Sequence, residues 1–252
     1  MLTRQQQHQF DMNYMILAAG KGSRMRTLST YLQKCMYPIL DRPFLELTLQ
    51  SIMDNPRFDP AHDRNILVVG HLRHQVEAYF GSTWRGTDIH YVVQHEALGT
   101  AHAVSLGFAA CDQDENTIIV QADVWAEPEF FEALIDSPVP DALSIHRHEC
   151  SFKHDERVDV SDGLVTRAWK GTGPFVECGI WKFSPGMIAY MMSRKDDEYR
   201  ALASVQAAIE DGRPVAAVER SRWIHLGAVE PGVAENLAEV ISFFCEQPRR
   251  WY

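Results

Sequence analysis

The segment Ala19-Gly20-Lys21-Gly22-Ser23-Arg24-Met25 directly follows a short apolar run, and its residue types suit a turn that binds an anion. Gly20 and Gly22 let backbone amides approach closely, and successive N–H groups can form a concave nest for phosphate. Lys21 and Arg24 add positive charge at the same place. The plain alternative is an ordinary strand-to-helix turn. Two common phosphate motifs are absent. A dinucleotide fingerprint needs a third glycine where this chain has Met25, even though Asp41 lies at a suitable offset, and GxxxxGK[ST] does not occur.

Other positions carry chemistry by type and placement. Asp123 closes the run Thr117-Ile118-Ile119-Val120-Gln121-Ala122. A carboxylate at the carboxyl edge of a parallel strand lies where open α/β sheets bind ligands; its competing role is a cap for a helix beginning at 127. Lys34 follows Arg24 in the string Lys34-Cys35-Met36-Tyr37-Pro38, and a lone lysine decides nothing. His146, His148 and Cys150 alternate along an expected strand, and His71 and His74 open a helix. Neither set has the second matching pair of a metal cage, so both read as surface groups.

These residues need a scaffold, and the first half of the chain supplies one. Runs over 14–18, 65–69, 90–93 and 117–120 are short and apolar on both faces, as parallel strands covered by helices should be. Helical patterns over 43–53, 72–80 and 100–110 separate them, the alternation of a doubly wound sheet. Beyond about 125 the elements are shorter: strands over 142–148, 157–160, 164–168, 177–183 and 215–219, and helices over 127–135, 184–192, 201–211 and 232–245. Turn signals stand at 162–163, 171–174 and 211–212. No Pro/Ser-rich linker divides the halves, so the expectation is one α/β domain: a Rossmann-like doubly wound mixed sheet with a lid-like insertion. Its two halves run over about 13–125 and about 126–252. The polar stretch 1–12 reads as an extension outside the fold.

The 252 residues and 46% hydrophobic content are ample for a buried core. A formal charge of −10 disfavours a nucleic-acid-binding face, so anions must be held locally. Five cysteines, odd in number and without a CxxC pair, argue against a disulfide framework. No apolar run approaches a bilayer span and 1–12 lacks a signal-peptide core, so a cytoplasmic location is expected, with no membrane partner.

The string from Leu17 and Ala18 through Ala19, Gly20, Gly22, Ser23 and Arg24, with Lys34 and Pro38 at fixed offsets, resembles the signature LAAGxGTRMxxxTxxxPKPLLPI of the sugar-phosphate nucleotidyltransferases. Ser23 replaces Thr but keeps the hydroxyl, while Gln33 and Cys35 replace prolines that carry no chemistry. The stretch Gln94 to Ala103, containing Gly99 and Thr100, resembles QxxxxGTAxA, whose Gln and Gly contact the base. Gln121-Ala122-Asp123 resembles the strand-end GD motif, whose Asp holds Mg²⁺. Weaker likenesses place Lys170 where the family has the lysine that contacts the acceptor phosphate, and Glu177-Cys178-Gly179 where an N-x-G strand lines the acceptor pocket. Trp223-Ile224-His225 aligns with W-x-D, so His225 stands at the second metal-ligand position. Imidazole is a poor ligand for Mg²⁺ and a better one for Mn²⁺ or Zn²⁺.

The resemblance, which covers 13 to about 240, implies transfer of a nucleotidyl group from an NTP to a phosphorylated small acceptor, with Mg²⁺ or Mn²⁺ as cofactor. Arg24, Lys34 and Asp123 would act in catalysis. Leu17, Ala18, Ala19, Gly20, Gly22, Ser23, Gln94, Gly99 and Thr100 would bind the nucleotide; Lys170, Glu177 and Gly179 the acceptor; Asp123 and His225 the metal. A sugar 1-phosphate is the implied acceptor. A non-sugar phosphate, and a nucleotide-sugar-binding module that has lost catalysis, stay open, as does a homo-oligomer.

Overall fold

The structure, a computed structural model, describes residues 12–112, 114–150, 156–192, 200–220, 222–226 and 241–245. In chain order the strands are β1 (Asn13–Ala18), β2 (Pro38–Ile39), β3 (Arg42–Pro43), β4 (Arg64–Val69), β5 (Thr83–Trp84), β6 (Thr87–Val93), β7 (Thr117–Gln121), β8 (Val124–Ala126), β9 (Ala142–Cys150), β10 (Glu156–Ser161), β11 (Leu164–Lys170), β12 (Gly173–Phe183), β13 (Ala216–Glu219) and β14 (Trp223–His225). The helices are α1 (Phe44–Met53), α2 (Arg73–Phe80), α3 (Thr100–Phe108), α4 (Pro128–Ile135), α5 (Pro185–Met192) and α6 (Ala201–Glu210).

Ten strands form one sheet in the order β10-β11-β13-β9-β12-β7-β1-β4-β6-β5. The block β7-β1-β4-β6 is parallel throughout, with Leu17 opposite Gln121 and Ala18 opposite Val69. The chain leaves β1 toward β4 and β6, then returns to β7 on the other side of β1. This reversal opens a crevice at the carboxyl ends of β1 and β7, the usual ligand position in open α/β sheets.

Side-chain alternation along β1 explains the two covering layers. Tyr14, Ile16 and Ala18 pack into one apolar cluster with Leu45, Leu49 and Val76 of α1 and α2. Met15 and Ala19 point into the other, with Val104, Met187 and Val205 of α3, α5 and α6. A third cluster joins Phe44 and Trp125 to Phe244, which lies in the helical residues 241–245, with Trp125 and Phe244 ring centroids 5.3 Å apart.

The second half continues the same sheet. Strand β12 runs antiparallel to both β7 and β9, so it splices the parallel block to the remaining strands. Several expected bounds shift. Pro43 belongs to β3, and α1 begins at Phe44, because proline supplies no N–H and tolerates only the helix edge. Helix α3 stops at Phe108 instead of 110. Strand β12 begins at Gly173, inside the expected turn at 171–174. A Cβ there would stand 3.3 Å from the Trp169 ring, so this glycine serves a close approach between strands. Residues 1–11 and most of the expected helix 232–245 lie outside the described residues.

Candidate active site

The glycine-rich turn is built from the end of β1 and a 3₁₀ segment, Ser23–Thr30. Gly22 adopts φ +60°, a left-handed conformation that strains other residues, and a Cβ there would lie 3.1 Å from Lys34 Cβ. Gly20 has nothing within 4 Å of its missing Cβ. Of the two glycines, Gly22 is therefore the one that packing requires, and it does so by letting Lys34 cross behind the turn.

Gln33 connects these parts. Its Nε2 donates to the carbonyl of Ala18 at 2.6 Å, and its Oε1 accepts from the amide of Cys35 at 2.8 Å. Its own amide donates to Gln75 Oε1 at 2.8 Å, and Gln75 Nε2 donates to the carbonyl of Tyr31 at 2.7 Å. One buried side chain thus ties the end of β1 to the turn bearing Lys34, and Gln75 of α2 holds that turn. Sequence reasoning passed over Gln33 as a silent replacement of proline; nothing local marks a glutamine whose partners are distant backbone groups.

Lys34 is buried, and its Nζ lies 2.5 Å from Asp123 Oδ2. Asp123 follows β7 at the carboxyl edge, as its strand-end position predicts. His225 Nε2 lies 3.3 Å from the same oxygen. The short antiparallel pair β8–β14 brings it there, with His225 opposite Val124 and the amide of Leu226 donating to the carbonyl of Asp123 at 2.8 Å. Burial pushes the Asp123 carboxyl up, but the Lys34 and His225 charges outweigh it and hold the group well below the usual carboxylate range.

A cleft of about 350 Å³ opens on this pair. It brings together Leu17, Ala18, Ala19, Gly20, Gly22, Ser23, Lys34, Gln94, Gly99, Thr100 and Asp123, and adds Gln33, Cys35, Ala97 and Gln121. Gln94 Nε2 donates to the carbonyl of Gly99 at 3.2 Å, holding the loop before α3. The N-terminus of α3 lies at this cleft, where unpaired amides favour negative charge. Arg24 lies in the 3₁₀ segment beside the turn, and its side chain is outside the described structure.

A second cavity, about 540 Å³, shares Thr100 and Gln121 with the first. It collects Lys170, Glu177, Gly179 and His225, together with Glu156, Cys178 and Trp223. Glu177 is only 7% exposed; its Oε1 accepts from the Gly179 amide at 2.5 Å and from Trp181 Nε1 at 2.6 Å. Burial, then the nearby Glu156 charge, push its carboxyl up to about 8. The Thr100 hydroxyl accepts from the amide of Ala201 at 2.9 Å and so anchors α6.

As a divalent-cation site the described residues offer one carboxylate, Asp123, with Oδ2 already engaged by Lys34 and His225. No group of three or more His, Cys, Asp or Glu side chains that could hold a metal forms among the described residues. This donor set does not fit a cage made by protein alone; it fits a cation delivered on substrate phosphates, since Mg²⁺ commonly keeps one or two carboxylates and takes the rest from phosphate and water. His146 Nδ1 lies 3.1 Å from the carbonyl of Arg220, and His71 Nε2 2.6 Å from that of Ser29, so both contact backbone carbonyls. No described helix is long and apolar enough to cross a membrane.

The fold and site together define an open-sheet α/β protein with a glycine-rich turn at its switch point and two adjoining cavities. The chain belongs to the nucleotidyl transferase family, whose model matches residues 13–143. It is 32% identical over 133 residues to the CMP-5'-(3-aminopropyl)phosphonate synthase of Streptomyces rubellomurinus, covering 53% of this chain and 20% of that protein. It is 33% identical over 117 residues to the D-glycero-alpha-D-manno-heptose 1-phosphate guanylyltransferase of Aneurinibacillus thermoaerophilus, covering 44% of this chain and 46% of the relative. The chain thus spans less than half the length of these curated relatives. Among solved structures it resembles a protein described as a glucose-1-phosphate thymidylyltransferase of Bacillus anthracis, with TM-score 0.76 at 14% identity, covering 91% of this chain and 95% of the other. It also resembles a UDP-glucose pyrophosphorylase complexed with UDP-glucose, with TM-score 0.74 at 16% identity, covering 92% of this chain and 99% of the other. At such identities these two matches establish the fold alone.

Proposed function

We propose that this protein transfers a nucleotidyl group from an NTP to a phosphorylated small acceptor and releases pyrophosphate. The observation that carries the reading is the pair of cavities sharing Thr100 and Gln121, with Lys34, Asp123 and His225 close together at their junction. Two substrates can then meet at one point.

An acceptor phosphate is already ionised at neutral pH, so no general base is required. An acceptor oxygen attacks the α-phosphorus, a new P–O bond forms, and the bond from the α-phosphorus to the bridging oxygen breaks, with the electron pair leaving on pyrophosphate. The barrier comes from bringing two anions together, so positioning and charge supply the catalysis. The amides of the Gly20–Gly22 turn and Arg24 would hold the triphosphate, with Gln94 and Gly99 at the base. Lys34 would stabilise charge at the α-phosphate, and Lys170 would bind the acceptor phosphate. Asp123 would hold a Mg²⁺ or Mn²⁺ ion that enters with the nucleotide and neutralises phosphate charge.

The heptose relative's name points to a sugar 1-phosphate acceptor, the phosphonate relative's name to a non-sugar one. A screen of four NTPs against sugar 1-phosphates, phosphoalcohols and phosphonates, with Mg²⁺ and Mn²⁺ compared, tests the reading by pyrophosphate release. Nucleotide binding without release for any combination would leave a binding module instead of an enzyme.

A further inference from the structure

The acceptor-side cavity is chemically two-ended. Lys170 and the N-terminal residue of α3, Thr100, border it, and both suit phosphate. Glu177, Glu156 and the Trp223 indole border it as well. Glu177 is more than nine-tenths buried, and both hydrogen bonds it accepts fall on Oε1. Among the described residues Oε2 makes no hydrogen bond. Among the described residues the charge that acts on Glu177 is that of Glu156, which raises the carboxyl further. Among the described residues the titratable groups around it are Glu156 on β10, Lys170 on β11, Cys178 on its own strand, His225 on β14, and Arg200, whose Nη1 lies 3.9 Å from Glu156 Oε1.

A carboxyl buried without a counter-charge is costly in its ionised form, and an unpaired oxygen beside a cavity leaves a vacant acceptor. A neutral hydroxyl would satisfy the oxygen but offer the charge no compensation, so the carboxyl would stay protonated. An ammonium does both, and an aromatic wall such as Trp223 also favours a cation. From this geometry we infer that the acceptor is zwitterionic, with its phosphate or phosphonate toward Lys170 and a cationic nitrogen against Glu177. The inference rests on the nucleotidyl-transfer reading for the phosphate end, and it narrows the acceptor to amine-bearing phosphates, whether aminoalkyl or amino-sugar.

The test compares matched probes on the full chain. Phosphoethanolamine is set against ethylene glycol phosphate, and glucosamine 1-phosphate against glucose 1-phosphate. Binding is followed by calorimetry in two buffers of different ionisation heat, and turnover by pyrophosphate release. The expected result is that one amine probe binds at least about tenfold tighter than its hydroxyl partner. It should also release a proton at pH 7, because Glu177 ionises to pair with it. Glu177→Gln should collapse the discrimination toward unity and abolish the proton release. Equal or tighter binding of the hydroxyl probes in both pairs overturns the inference, and so does amine binding without proton release. Amine binding with proton release but no turnover sustains the inference and refutes nucleotidyl transfer. Turnover confined to hydroxyl acceptors does the reverse.

Discussion

Replacing Lys34 by methionine keeps the aliphatic stem behind Gly22 and removes the ammonium that lies 2.5 Å from Asp123 Oδ2. The two side chains are only 10% and 20% exposed, so the pair is largely shielded from solvent. Removing one partner of a buried ion pair costs about 3–5 kcal/mol. His225 at 3.3 Å still faces the carboxylate, which puts the expected loss at the lower end, about 3 kcal/mol. For a chain of this size that corresponds to a melting temperature lower by about 6–12 °C.

The sign with pH follows from the depressed Asp123 carboxyl. Its contribution is present above the unfolded carboxylate value of about 3.9 and is lost as pH falls through the folded value. In the variant that folded value rises, so the deficit should be largest at neutral pH and shrink below about pH 4. Adding Asp123→Asn removes the orphaned charge and should recover most of the stability, while turnover stays at least about 10²-fold down. Thermal melts at pH 7 and 4, run beside pyrophosphate release on both variants, read all of this. A Lys34→Met melting temperature within 2 °C of wild type, or a deficit that Asp123→Asn does not repair, would refute the structural reasoning. A kcat within tenfold of wild type would remove Lys34 from the reaction.

Gly22→Ala should cost about 1–2 kcal/mol, from the left-handed backbone and the 3.1 Å approach to Lys34 Cβ, whereas Gly20→Ala should melt within about 1 °C of wild type. Equal melting temperatures would contradict this. The raised Glu177 carboxyl predicts that wild-type stability falls as pH rises from about 4.3 to about 8, because the folded state holds that proton more tightly than the unfolded chain. Glu177→Gln should therefore gain stability relative to wild type across that interval, and a pH-independent difference in denaturant melts would count against the buried acid. Gln33→Leu removes the side-chain bonds to Ala18 and Cys35 and should raise the KM for NTP at least about tenfold. An unchanged KM would show that the turn holds its shape without Gln33.

Much of the site was legible because its parts are local. The apolar runs before Ala19 and Asp123 read as parallel strands, their ends fall at one sheet edge, and a glycine-rich turn with cations announces phosphate chemistry. The positions read as nucleotide-binding line one cleft for that reason, since each follows or borders a strand end.

What the sequence by itself determined is thus the alternation of elements and the chemistry at their ends, which depend on periodicity and on immediate neighbours. The tertiary structure alone decided how distant pieces meet. Strands β8 and β14 have three residues each, too few to show a period, yet their pairing sets His225 against Asp123. Gln33 acquires its role from carbonyls and amides brought in from β1, and Glu177 becomes a buried acid only once β12 is enclosed between β7 and β9. Each of these effects comes from long-range packing, where burial and charge are set by neighbours in space that a linear pattern does not name.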